Sequence, residues 1–184
     1  MKEKKYKTDI YDYDLHNILV QTIDLTLYTS ISKKQIIDVL RVRKLPRSFY
    51  ELKMNRISTI ESLVAKQLEY THFDTIELKG VKSIDDKALT FLAKSKSLLD
   101  IGLTKLNEKQ ASILVKYHNA ALVLSGLKYI TIPVAKILAN YKGNVLDLCA
   151  ITNIKADPLN YLFENFKGDF LTIGNLALKH KLSE

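Results

Sequence analysis

A chain of 184 residues is long enough for one domain with a continuous core, and 47% hydrophobic and 26% charged residues are ordinary for a soluble globular protein. No apolar run approaches the roughly 18 to 20 residues that a bilayer span requires. The opening MKEKKYKTDIYDYD has no apolar segment or small-residue cleavage site behind its charges, so neither a membrane span nor a secretory leader is expected. The single cysteine, Cys149, leaves no intrachain disulfide, which suits a cytoplasmic protein. The formal net charge is +8, and the excess is densest toward the start: residues 1–56 hold 12 Lys and Arg against 7 Asp and Glu.

Residues 1–24 read as an N-terminal capping segment, with Tyr11, Tyr13, Leu15, Ile18 and Leu19 available to cover an apolar face. Asp9, Asp12 and Asp14 lack the longer, glycine-containing ligand pattern of a calcium loop and read as solvated acids. From residue 25 to 184 the chain reads as one repeating domain. A worn first copy lies at Leu25-Thr26-Leu27, followed by a helix from Ser32 to about Arg43. Ser32-Lys33-Lys34-Gln35 forms a capping box at its start. Arg41, Arg43, Lys44 and Arg47 behind it are the densest basic cluster in the chain. They offset the dipole of a helix C-terminus, or they form a phosphate-contacting patch with Lys53 and Arg56 nearby.

The clearest unit runs from Leu122 to Gly143. Leu122 and Leu124 alternate as one face of a short strand, and Gly126 lets the backbone turn where a Cβ would clash. Thr131 caps a helix with Pro133 in its first turn. Val134, Ile137, Leu138 and Tyr141 make one helical face, and Gly143 is expected to stop the helix in a left-handed residue. Earlier copies start at Leu52-Lys53-Met54, Ile76-Glu77-Leu78 and Leu99-Asp100-Ile101, the last two followed by the caps Asp85 and Asn107. Later copies start at Leu146-Asp147-Leu148 and Leu171-Thr172-Ile173. The step is about 24 residues, inside the range that signals stacked repeats. Ser97, Asn119, Gly143 and Gly168 fall at equivalent helix ends, so the stop signals recur in phase with the apolar ones.

This pattern resembles leucine-rich repeat proteins, in particular short bacterial repeats reading roughly LxLxGLxxL followed by a helix rich in Ala and Leu. The resemblance covers Leu52 to Leu176 well and Leu25 to Leu45 weakly. It implies an α/β fold: a right-handed βα solenoid with parallel strands on the concave side and helices on the convex side. The commonest form of that family carries a buried Asn or Cys shortly after each strand. Here those positions hold Arg56, Gly126, Ala150 and Asn175, so no such ladder is expected.

No catalytic or metal constellation stands out. His16, His72, His118 and His180 are scattered, no pair has ligand spacing, and there is no Cys-x-x-Cys, nucleophile elbow or phosphate-binding loop. Cys149 has no histidine placed to act as its base. A non-catalytic chain with no cofactor and no metal is the expectation, and function then rests on the strand surface. Its central outward column reads Lys53, Glu77, Asp100, Val123, Asp147, Thr172; its neighbours include Glu51, Thr75, Leu98, Ala121, Val145 and Phe170 on one side and Asn55, Lys79, Gly102, Ser125, Cys149 and Gly174 on the other. Val123, Val145 and Phe170 beside Asp100 and Asp147 make a mixed floor that can receive a peptide or protein loop.

The expected function is protein–protein interaction through Lys53, Glu77, Asp100, Val123, Asp147, Val145 and Phe170, with an unknown protein partner. The alternative is polyanion binding through Arg41, Arg43, Lys44 and Arg47, disfavoured for nucleic acid because few aromatics there are placed to stack on bases. The last strand, Leu171 to Ile173, has little chain behind it. Lys179, His180 and Lys181 cover its open edge, or that edge pairs with a second copy as a homodimer.

Overall fold

The computed structural model describes residues 8–11, 20–40, 49–71, 73–152, 156–174 and 176–179. Alternating apolar residues build the parallel strands: β2 (Val20–Asp24), β3 (Phe49–Lys53), β4 (Thr75–Leu78), β5 (Leu98–Ile101), β6 (Ala121–Val123), β7 (Val145–Leu148) and β8 (Phe170–Ile173). In each unit two inward positions, such as Leu52 and Met54 or Leu146 and Leu148, are buried, and the residues between them face the other way. The strands lie in chain order within one nine-stranded sheet. β2 to β8 are all parallel, and each parallel step contains a helix, as a parallel connection requires.

The helices are α1 (Lys33–Leu40), α2 (Ser62–Glu69), α3 (Asp86–Leu92), α4 (Glu108–Leu114), α5 (Ile132–Leu138) and α6 (Ala156–Asn165). Each lays a stripe such as Val64, Ala65 and Leu68, or Val134, Ala135 and Leu138, into the core, and each packs on the next. Their starts are the ones the sequence marks. Ser32 and Gln35 close a capping box, Asn107 and Gln110 close another, and Asp85 accepts from the Ala88 amide at 2.8 Å. Thr131 reaches the Val134 amide only at 3.5 Å, a weaker cap.

Three features mark the ends of the stack, and the first of them departs from the sequence expectation. The first unit's strand is Val20–Asp24, whose inward pair is Ile23 and Leu25, while Leu27 stands 82% exposed in the turn. Register explains this, because Ile23 pairs with Leu52 and so falls in the core column two residues earlier than Leu25-Thr26-Leu27 suggests. β1 (Thr8–Tyr11) then pairs antiparallel with β2 inside the capping segment. At the other end β9 (Leu176–Lys179) pairs antiparallel with β8, so Leu171 to Ile173 is not the open edge.

The helix stops are also different. α5 ends at Leu138, and Gly143 lies beyond it as a spacer, not as a left-handed cap: Gly174, at φ +57, is the glycine with positive φ. A Cβ on Gly143 would lie 2.3 Å from Tyr141 Oη and 2.5 Å from Asn119 O, so close approach selects that glycine. The turns after the strands are joined by backbone groups in place of a side-chain ladder. Lys82 N donates to Ser58 O, Thr104 N to Lys82 O, Lys128 N to Thr104 O and Thr152 N to Lys128 O, at 3.2–3.4 Å.

Candidate functional site: the outward strand face

The register aligns the central column as the alternation predicts. Lys53 pairs with Glu77, Glu77 with Asp100, Asp100 with Val123, Val123 with Asp147 and Asp147 with Thr172. Val145 pairs with Phe170 in the adjoining column, and Phe170 is 48% exposed, which makes it a large apolar group open to contact. The protein-binding residues expected from the sequence therefore share one face. Arg41, Arg43, Lys44 and Arg47, expected for a polyanion, lie outside the described residues, as do His16, His72 and His180.

The first half of this face is electrostatically closed on itself. Lys53 Nζ lies 3.0 Å from Glu51 Oε2, and Thr22 Oγ1 donates to the same oxygen at 3.0 Å. Asn55 Nδ2 donates to Glu77 Oε2 at 2.7 Å. Lys79 Nζ stands 3.4 Å from both Glu77 Oε1 and Asp100 Oδ2, one ammonium shared by two carboxylates. Those carboxylates outweigh the cost of its burial and hold Lys79 above its ordinary value.

Beyond Asp100 the pattern changes. Asp100 is 8% exposed, not open as its outward position suggests, and its Oδ1 has no hydrogen-bond partner. Burial pushes its carboxyl above the usual range, against the opposing help of Ser125 and Lys79. Among the described residues Asp147 meets no cation; its Oδ1 accepts from the Cys149 amide at 2.9 Å. The Cys149 thiol is raised by burial first, then by Asp147 and by Asp100. Cys149 therefore feels both carboxylates, and its thiol is poorly ionised at neutral pH.

The Asp100 shift has a measurable consequence. The native state keeps this proton to higher pH than the unfolded chain, so stability falls as pH rises through the window above the ordinary value of 3.8. Asp100→Asn carries no charge at any pH. It is expected to melt above the parent at pH 7 and level with it near roughly pH 3, where both forms are neutral. A parent that melts higher at pH 7 overturns this account of Asp100.

Lys79 and Ser125 complete the site, and they lie in an outward column that the sequence supplies. Their roles depend on cross-strand neighbours, which the column alone does not show. A second polar feature lies at the helix ends: Lys94, Lys96, Lys116 and His118 line a hollow of about 590 Å³ beside the ends of α3 and α4. Cations at helix C-termini offset the dipole, and Lys94 is engaged by Glu69 at 3.9 Å and by the Phe91 ring. That environment accounts for Lys94 without a ligand.

Among the described residues no group of three or more His, Cys, Asp or Glu could hold a metal ion, and no helix is long and apolar enough to cross a membrane. No family model matches the chain, and no curated protein or solved structure matches it.

Proposed function

We propose that the chain is a leucine-rich-repeat-type βα solenoid that acts as a non-catalytic binding module. A protein partner docks on the outward, concave strand face and contacts Lys53, Glu77, Asp100, Val123, Asp147, Val145 and Phe170. The observation that carries this reading is the juxtaposition of Phe170, Val145 and Val123 with Asp100 and Asp147 on one face. Exposed apolar area beside oriented charge supplies both the energy and the register of protein recognition.

Cys149 offers the test, because it is the chain's single cysteine and is exposed on this face. A photo-crosslinker attached to Cys149 in cell extract is expected to capture a discrete partner. Val123→Arg should abolish the capture. A crosslinker at Lys66→Cys on α2, in a Cys149→Ser background, should not give the same product. Capture from α2 but not from Cys149, or capture indifferent to Val123→Arg, would move the binding surface elsewhere.

A further inference from the structure

The carboxylates of the strand face are compensated unevenly, and that imbalance names the partner's chemistry. Toward β3 and β4 the chain supplies its own cations, Lys53 and Lys79. Toward β6 and β7 it supplies Val123 and Ser125 where a further cation would complete the row. A carboxylate held out of water is costly unless it is paired and hydrogen-bonded. Asp100 is nine-tenths buried; Ser125 and Lys79 support it, the Lys79 contact at 3.4 Å being longer than a good charged hydrogen bond, and its Oδ1 has no partner. Asp147, two strands away, meets no cation among the described residues.

We infer that the partner is a basic segment and that one of its arginine side chains lands over Val123, between Asp100 and Asp147. This deepens the docking proposed above and rests on it. Two strand spacings separate the carboxylates by about 10 Å at the backbone, which leaves room for one side chain between them. A guanidinium suits that gap better than an ammonium. Its donors diverge in one plane, so it can engage Asp147 directly while its charge offsets the covered Asp100 beside it, and it is less strongly hydrated, so its flat face can rest on Val123. Incoming charge of this sign is favoured over the rest of the molecule as well. The chain carries +8 overall, yet on this face the carboxylates of Asp24, Glu51, Glu77, Asp100 and Asp147 outnumber Lys53 and Lys79. A basic segment is therefore steered to the strands and repelled from the rest of the surface.

The test is an amide-resolved NMR titration of the 15N-labelled protein with three capped heptapeptides of alternating glycine, bearing Arg, Lys or Leu at the other positions. The Arg peptide is expected to shift the amides of Asp100, Val123, Asp147 and Cys149 saturably, and to bind tighter than the Lys peptide. Asp147→Asn should weaken it by about tenfold, the range for losing a hydrogen bond to a charged group. Asp86→Asn, on the helix side, should leave it unchanged, and the spectra themselves report that each variant is folded. Shifts scattered over Asp85, Asp86 and Glu108, or affinity indifferent to Asp147→Asn, would reduce the effect to diffuse attraction and overturn the inference. Strand-face shifts with the Leu peptide and none with the Arg peptide would keep the docking face and discard its cation preference. No strand-face shifts with any of the three would count against both.

Discussion

Gly102→Ala is expected to lower the melting temperature by about 10 °C, a loss of roughly 3 kcal/mol or more in a domain of this size. A Cβ at Gly102 would lie 1.9 Å from Lys79 O and 2.5 Å from Lys79 C. Both atoms are backbone and belong to the turn of the preceding unit, so neither can swing aside as a flexible side chain would. Relief requires two neighbouring units to separate, and that would stretch the ladder joining Lys82, Thr104 and Lys128. Gly126 repeats the situation one unit later, where the added Cβ would lie 2.0 Å from Gly102 O. Ala150 is the internal control: it carries a Cβ at the position corresponding to Gly126, and Ala150→Gly should cost only about 1 kcal/mol. Thermal unfolding followed by circular dichroism measures all three. A Gly102→Ala protein that melts within 2 or 3 degrees of the parent, about 1 kcal/mol, would show that the turns are not in contact.

Tyr117→Ala is expected to cost about 3–5 kcal/mol, and Tyr117→Phe about 1–3 kcal/mol. The ring is fully buried and stacks on Tyr141 with centroids 6.3 Å apart and planes 5° from parallel. Its hydroxyl donates to the Ser97 carbonyl, where Ser97 Oγ is itself buried without a protein partner. Removing the ring opens a cavity between units; removing only the hydroxyl leaves a buried carbonyl short of a donor. Tyr141 makes the equivalent bond to Asn119 O at 2.6 Å in the next unit. Burial raises both phenols, so the folded state holds these protons beyond the pH, near 10, at which they leave the unfolded chain. Their contribution is complete below that pH and is lost as pH climbs above it. Urea titrations at pH 8 of parent, Phe and Ala forms separate the ring from the hydroxyl. A Tyr117→Phe form as stable as the parent would remove the hydroxyl's structural role, and equal losses in the two variants would remove the ring's.

Most of the architecture was legible because it rests on local rules. The pair Leu122 and Leu124 has strand period, Val134 and Leu138 have helix period, and Asp85, Asn107 and Ser32 are cap residues whose partners lie three positions on. These signals need no knowledge of distant residues. The misreadings fall where such knowledge is required. Leu25-Thr26-Leu27 looked like a strand by spacing, yet pairing with Leu52 places Ile23 in the core and throws Leu27 into solvent. Gly143 looked like a helix stop, yet the Tyr141 ring and the Asn119 carbonyl of the adjacent turn select it.

Between Phe49 and Ile173 the alternation of strands and helices, the spacing of the repeat and the outward columns are all legible in the chain, because each follows from the periodicity of one segment. Tertiary structure alone decided that β9 covers β8, that Lys79 is shared between Glu77 and Asp100, and that Asp100 is buried while Asp147 meets no cation among the described residues. The reason is physical. Those groups sit about one repeat apart in the chain but a single strand spacing apart in the sheet, and charge responds to distance and to exclusion of water, neither of which is set until the strands are in register.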